Sequence, residues 1–405
     1  MVVRLEKVPP ALDEPPKPRL WLWLLPFPAL LAVGVALTLW LGGEGLAPPR
    51  FWLFALGIPA LVWCALAVVR GLIYLGELSA VEGWNEAREA DLTQKMRRGR
   101  RSQQVLAVSL HTALRELTAE NGQAQCSALL ANDGSQLRAQ PGWKGSARHS
   151  RLPLMEVETE RRVLKRVLAT VLEELAAKLS AFPLDRPVAL LLEMEGGLEE
   201  AVSQMIWADT LAQSGIRQTV TPIDGSGLAA IDRWLDERIQ DEALLMVVSL
   251  QLAPKQVEGS AEAVVGLLLG NRLTQDTLQP LAYLHRPEPT HGTDKTAARQ
   301  ATVQALDWVP LPASSIGKVW VAGTDTPRNA LVTSAMEAVE LPTKATHNLS
   351  ALLGDAGKAS PWMAIAGAVE AVAVKAEPQF LFTGDSAEDA WMWCSVVMPA
   401  VAPQE

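Results

Sequence analysis

Two long apolar runs open the chain. Residues 20–41 carry no charge over about 22 positions, and residues 51–69 carry none over about 19. A helix of about 20 apolar residues crosses the ~30 Å hydrocarbon core of a bilayer, so the pattern predicts a two-helix membrane hairpin. Trp21, Trp23, Trp40 and Trp52 stand near the run ends, where amphipathic rings favour the headgroup zone. The first run is too long for a signal peptide, and no small-residue cleavage site precedes the second. Arg4, Lys7, Lys17 and Arg19 lie before the first run and Arg70, Arg88 and Lys95 after the second. The turn around Gly42–Pro49 is followed only by Arg50 and holds Glu44. The positive-inside rule then puts both ends in the cytoplasm and the turn outside.

Beyond the hairpin the periodicity changes. Glu77 to Met96 is charged and helix-prone, a continuation of the second span or a stalk. Apolar residues at 163, 164, 167, 168, 171, 172 and 175 follow helical spacing within Thr159–Leu179. Short apolar runs predict strands at 105–110, 187–193, 218–223, 243–250, 318–321, 379–383 and 391–398, with 261–269 a further apolar segment. The run at 243–250 is so apolar that both its faces must be covered. Helices are expected at 197–214, 228–239, 329–339 and 362–374. Residues 132–150 and 285–299 read as polar, exposed loops. Strands alternating with helices indicate an α/β core with helices on both faces of its sheets. No short-period repeat is evident.

Composition narrows the chemistry. Net charge is −9, which opposes nucleic-acid binding. The basic run Lys95–Arg101 follows a membrane span, and a topology determinant leaning on anionic headgroups explains it. Three scattered cysteines, Cys64, Cys126 and Cys394, make neither a disulfide framework nor a zinc site. The acidic run Glu193, Glu195, Glu199 and Glu200 reads as a solvated strand end and helix start. No phosphate-cradling loop, HExxH or G-x-S-x-G elbow occurs, and no cofactor or metal is expected.

Four stretches carry a family likeness. Trp320-Val321-Ala322-Gly323-Thr324-Asp325-Thr326-Pro327 and Ala351-Leu352-Leu353-Gly354-Asp355-Ala356-Gly357 have the outline of two active-site loops. Asp224-Gly225-Ser226-Gly227-Leu228-Ala229-Ala230 has that of a nucleophile turn and its helix. Leu244–Leu250, with the apolar segment after Glu258, is the fourth. Together they resemble the thiolase-like fold of β-ketoacyl synthases, over roughly residues 103–400. The resemblance implies a layered α/β/α domain. It also implies a cysteine at a helix N-terminus, where the helix end lowers its pKa, and two histidines that stabilise the developing oxyanion. At the matching positions this chain has Asp224, Ala322 and Ala351. The expected active site is therefore degenerate, and the chain is not expected to be an enzyme. His291, in another H-G-T, and His347, four residues before Ala351, read as solvated loop histidines, with substitution for the missing pair as the alternative; His111 and His149 show no partner pattern.

These features divide the chain into a cytoplasmic tail (1–19), a hairpin (20–76), a charged helical stalk (77–102) and a thiolase-like domain (103–405). The layout, a hydrophobic N-terminus before a degenerate thiolase-like domain, resembles type VI secretion adaptors of lipase-type effectors. That resemblance implies a non-catalytic adaptor at the bacterial inner membrane. Its partners would be a lipase-type toxin and the secretion spike protein. The alternative is a pseudo-ketosynthase gripping an acyl carrier or acyl chain. The fold resembled dimerises through a central strand, which leaves a homodimer open.

Overall fold

The computed structural model describes residue 5 and residues 8–42, 47–117, 122–132, 135–143, 145–155, 158–384 and 391–400. Contacts divide the chain into two compact units, Arg4–Met96 and Arg97–Glu405.

The smaller unit is helical. Helices α1 (Leu20–Leu24) and α2 (Pro26–Gly42) form one apolar arm. The other begins with α3 (Pro48–Trp52), passes through a π-helical turn at Leu53–Gly57 and continues as α4 (Ile58–Gly99), an unbroken 42-residue helix. Both arms are long and apolar enough to cross a membrane. Gly34 lets them approach, since a Cβ there would collide with Pro59 and the Ala55 carbonyl, the small-residue contact that membrane helices use. The Trp63 indole donates to the Trp23 carbonyl at 2.8 Å. In the turn, residues 43–46 lie outside the described residues.

The larger unit is built on one eleven-stranded sheet. In chain order its first half has β1 (Ser102–His111), α5 (Gln123–Ala131), a separate hairpin of β2 (Arg138–Gly142) and β3 (Gly145–His149), α6 (Glu160–Leu179), β4 (Val188–Gly196), α7 (Glu200–Gln213), β5 (Val220–Pro222), α8 (Gly227–Glu237), β6 (Leu244–Leu252) and β7 (Ala263–Asn271). The second half has β8 (Ala282–His285), β9 (Glu288–Pro289), α9 (Lys295–Asp307), β10 (Lys318–Ala322), α10 (Thr326–Val339), β11 (Thr346–Asn348), α11 (Leu349–Leu352), α12 (Ser360–Val374), β12 (Gln379–Gly384) and β13 (Met392–Pro399).

The halves repeat one topology. The first runs β5-β4-β6-β7-β1 and the second β11-β10-β12-β13-β8, so each orders its strands third, second, fourth, fifth, first. In both, the second strand is parallel to the third and fourth, and the fifth is antiparallel to its neighbours. An antiparallel pairing of β1 with β8 joins them. Helices α8 and α12 occupy matching places and share one core with strands of both halves. Helices α6 and α7 cover the first half in a second core, and α9 and α10 the second half in a third.

The apolar pattern explains the parts it predicted. All seven spaced residues of α6 are buried, with Leu179 beside them, and so are all nine residues of β6. Both expected loops need correction. Residues 132–150 contain the β2–β3 hairpin, whose strands are mostly exposed and so lack the alternation that a half-buried strand shows. Residues 285–299 contain β9 and the start of α9, capped by the Asp294 carboxylate accepting from Ala297 N.

Arg286, in that same stretch, is only 1% exposed. Its guanidinium donates to Asp236 at 2.8 and 2.9 Å and reaches Asp232 at 2.6 Å. Arg98 donates to both carboxylate oxygens of Asp236, and Arg101 to the Leu235 carbonyl at 2.8 Å. Two arginines of the basic run at 95–101 are therefore held by α8, a protein contact where lipid was expected.

Candidate functional site

The C-terminal ends of β4 and β6, the residue after β10 and the last residue of β12 line one groove, and open α/β folds bind ligands at the C-terminal ends of their parallel strands. The groove measures about 1180 Å³. Its walls are the end of β4 (Leu192–Gly196), the start of α7, the turn before α8 (Gly225, Ser226), the loop after β6 (Pro254–Ser260), and Gly323, Arg328, Asp355, Gly357, Lys358 and Gly384. Gly225 and Gly227 take φ of 113° and 54°, a region L side chains rarely enter; the tight turn presents the N-terminus of α8 to the groove. Gly323, just after β10, and Gly384, the last residue of β12, abut, since a Cβ on Gly384 would collide with the Gly323 carbonyl.

Sequence reasoning missed the central residue. Glu193 is buried at 5% exposure, not solvated. One carboxylate oxygen accepts from Gly227 N at 2.7 Å, at the start of α8. The other accepts from the indole Nε1 of Trp362 at 2.6 Å, in the first turn of α12. One side chain thus ties the starts of the two matching central helices. The only sequence signal was its place at the end of a strand otherwise apolar on both sides. The pocket left around Glu193, Ser226, Gly227, Gly357, Pro361 and Gly384 measures about 20 Å³, room for one water. The other acidic residues of the run behave as expected: Glu195, Glu199 and Glu200 are exposed. Glu195 also accepts from Lys358 N at 3.2 Å.

The three positions matched to a ketosynthase site are not brought together at the groove. Asp224 is exposed, one residue short of the lining. Ala322 is fully buried in the central core. Ala351 is exposed on α11, its N–H donating to Asn348 and its carbonyl accepting from Ser135 Oγ at 3.1 Å. Neither cysteine nor histidine stands among the groove's lining residues.

The substitute histidines are elsewhere. His291 is exposed. His347 is buried on β11, not solvated in a loop: it stacks on Trp320 with centroids 4.8 Å apart, and its Nε2 lies 3.0 Å from Lys318 Nζ. Burial and the Lys318 charge both hold its pKa down, so the ring is neutral and accepts from the ammonium. His111 is pushed down to about 3 by burial. Cys394 is fully buried and its thiol is pushed up to about 12 by burial; Cys126 is pushed up to about 12 by burial and by the neighbouring Glu370. A thiol so raised carries almost no thiolate at neutral pH. Among the described residues no group of His, Cys, Asp and Glu could hold a metal ion.

Comparison with solved structures shows the fold. The ishigamide ketosynthase/chain length factor superposes with a TM-score of 0.52 at 13% identity, over 74% of this chain and 99% of that one. The PfaC keto synthase-chain length factor gives 0.54 at 11%, over 75% of this chain and 43% of that one. The type II PKS ketosynthase complex AntDE:AntF gives 0.50 at 12%, over 74% and 100%. The larger unit therefore has a thiolase-like fold. No protein-family model and no curated protein matches the sequence.

Proposed function

We propose that this thiolase-like chain is a membrane-anchored binding protein that holds a protein partner and performs no condensation. One observation carries this reading: a buried carboxylate, Glu193, holds the first N–H of α8, where condensation needs a thiolate. Here the raised thiols of Cys126 and Cys394 and the absence of histidine from the groove lining both support a non-catalytic role.

The finer reading is an adaptor at the bacterial inner membrane, both ends cytoplasmic, that binds a lipase-type effector and loads it onto the type VI secretion spike. Its support is the layout: two apolar helices long enough to span a bilayer precede the domain. The alternative, docking of an acyl carrier, would need a basic surface. The groove lining instead has six carboxylates (Glu193, Glu195, Glu199, Glu200, Glu258, Asp355) against three cations (Lys255, Arg328, Lys358), which disfavours an acidic carrier.

The test is affinity capture of the tagged full-length chain from detergent-solubilised membranes of its native host, with mass spectrometry of the eluate. A lipase-type toxin with a spike protein supports the adaptor. Acyl carrier protein in their place overturns it in favour of the alternative.

A further inference from the structure

We infer that the open edge of β4 is where the protein partner docks, as an extended, positively charged segment that adds a strand to the sheet. This rests on the reading of the chain as a binding protein and names the part of the partner that the groove receives.

Strand β4 runs over nine residues, and all nine pair with β6 on one side. On the other side β5 covers only Val188–Leu190. The Val188 N–H donates to the Thr219 carbonyl at 2.9 Å, and the Leu190 carbonyl accepts from Ile223 N at 2.8 Å. The even-numbered residues of β4 therefore turn their backbone groups toward β5. After Ile223 the chain leaves through the Gly225 turn into α8. Leu192 and Met194 then point an N–H and a C=O to a place that no strand fills, and neither is hydrogen-bonded on that side among the described residues. Both line the groove. A row of unpaired strand groups is a template for another chain, which adds its own main-chain bonds. About four residues of an added strand, roughly 13 Å at ~3.3 Å each, fill the gap.

The surroundings decide the occupant. A second copy of this chain would meet β5 first. Thr219 and Ile223 face β4, so Pro222 faces outward, and it has no N–H to give. Charge points to a basic segment. The wall beside the open edge is made by the end of β4, the start of α7 and the turn before α8. It presents exposed Glu195, Glu199 and Glu200 and, among its described lining residues, no lysine or arginine. The groove's cations stand on other elements: Lys255 after β6, Arg328 in α10 and Lys358 beyond α11. Leu192 and Met194 pack toward the α6–α7 core, while Glu193 and Glu195 take the opposite face. A matching strand alternates apolar and basic side chains.

The probe is a fluorescein-labelled octapeptide of alternating lysine and valine, followed by anisotropy with the detergent-solubilised full chain at constant ionic strength. Saturable binding is expected, and it should be lost when glutamate replaces the lysines. Alternate backbone nitrogens are then methylated, one set at a time. The set that faces β4 should weaken binding by about tenfold or more, and the other set less. Met194→Pro removes an outward N–H without touching the β6 ladder, a change that edge strands accept, and should also weaken binding about tenfold. Should that variant unfold, Glu199→Lys with Glu200→Lys alters only exposed positions and is expected to act in the same direction. Absence of saturable binding overturns the inference. So do methylated peptides that both bind like the parent, or wild-type affinity in a folded Met194→Pro or double-lysine variant. A wild-type dimer that Met194→Pro dissolves puts a second copy on the edge and overturns it as well. If capture retrieves the same partner with Met194→Pro as with the wild type, the docking edge fails while the binding-protein reading stands. Condensing activity would defeat that reading and leave the peptide result untouched.

Discussion

The indole of Trp362 and the carboxylate of Glu193 meet at 2.6 Å although 169 residues separate them in the chain. Trp362 is fully buried in the first turn of α12, and Glu193 ends the apolar part of β4. The contact joins the two halves of the repeated topology through one charged hydrogen bond.

Trp362→Phe keeps most of the ring volume and removes that donor. A buried charged group that loses one of its hydrogen bonds costs about 1.5–3 kcal/mol. The urea midpoint of the detergent-solubilised chain should fall accordingly; an unchanged midpoint would mean that the pair adds nothing to stability.

The Arg286 cluster should carry more. Arg286→Met removes the buried guanidinium that Asp232 and Asp236 share, while Arg98 and Arg101 stay on Asp236, and breaking a buried pair on one side costs about 3–5 kcal/mol. Burial alone would raise Asp236, but hydrogen bonds from Arg98 and Arg286 outweigh it and hold the carboxyl well below the usual carboxylate range. A depressed folded value stabilises the protein above the unfolded value near pH ~3.9 and loses that contribution as the pH falls further. Asp232 has the opposite sign, since burial raises it against the attraction of Arg286. Thermal melts from pH 7 to 3 should show the wild type losing stability below about pH 4, with a shallower acid slope in the variant. Parallel slopes would remove Asp236 from the acid transition.

Alkylation tests the thiols. Cys126 and Cys394, both raised to about 12 chiefly by burial, should react with iodoacetamide at pH 8 far more slowly than a free thiol, and at ordinary rates after unfolding in urea. Peptide mapping by mass spectrometry reads both. Rapid native labelling of either site would reopen a thiol-dependent activity.

Restoring the ketosynthase residues should not restore condensation. Asp224→Cys and Ala351→His act at exposed positions outside the groove lining. Ala322→His must force a ring into a packed core, at about 1–3 kcal/mol. An acyl-condensation assay on the triple variant is expected to stay at background. Turnover would show a working pocket and defeat the binding-protein reading.

Membrane topology can be read with impermeant maleimide on intact cells. A cysteine introduced as Ala47→Cys should label from outside, and Asp185→Cys only after permeabilisation, if both chain ends are cytoplasmic. The reverse pattern would invert the orientation and exclude a cytoplasmic adaptor.

Much of the scaffold was legible because it follows from local apolar periodicity. The spacing of Val163 to Leu175 makes one buried face on any helix, and a run such as Leu244–Leu252 needs cover on both faces wherever it lies. The two long apolar helices follow from length and the absence of charge. Polar segments gave no such signal. The β2–β3 hairpin is held by backbone pairing between mostly exposed strands. Arg286 looks like a loop residue until Asp232 and Asp236 are brought beside it.

The candidate site divides along the same line. Sequence alone determined which residues stand at the three resembled positions, Asp224, Ala322 and Ala351. Only the tertiary structure decided which side chain holds the start of α8. A glutamate in an acidic run is solvated by default, because charge is costly to bury. Glu193 escapes that default because the fold brings Gly227 N and the Trp362 indole, 34 and 169 residues away, to its two oxygens. Local pattern sets which face of an element is buried; partners so distant in the chain meet only through the packing of the whole domain.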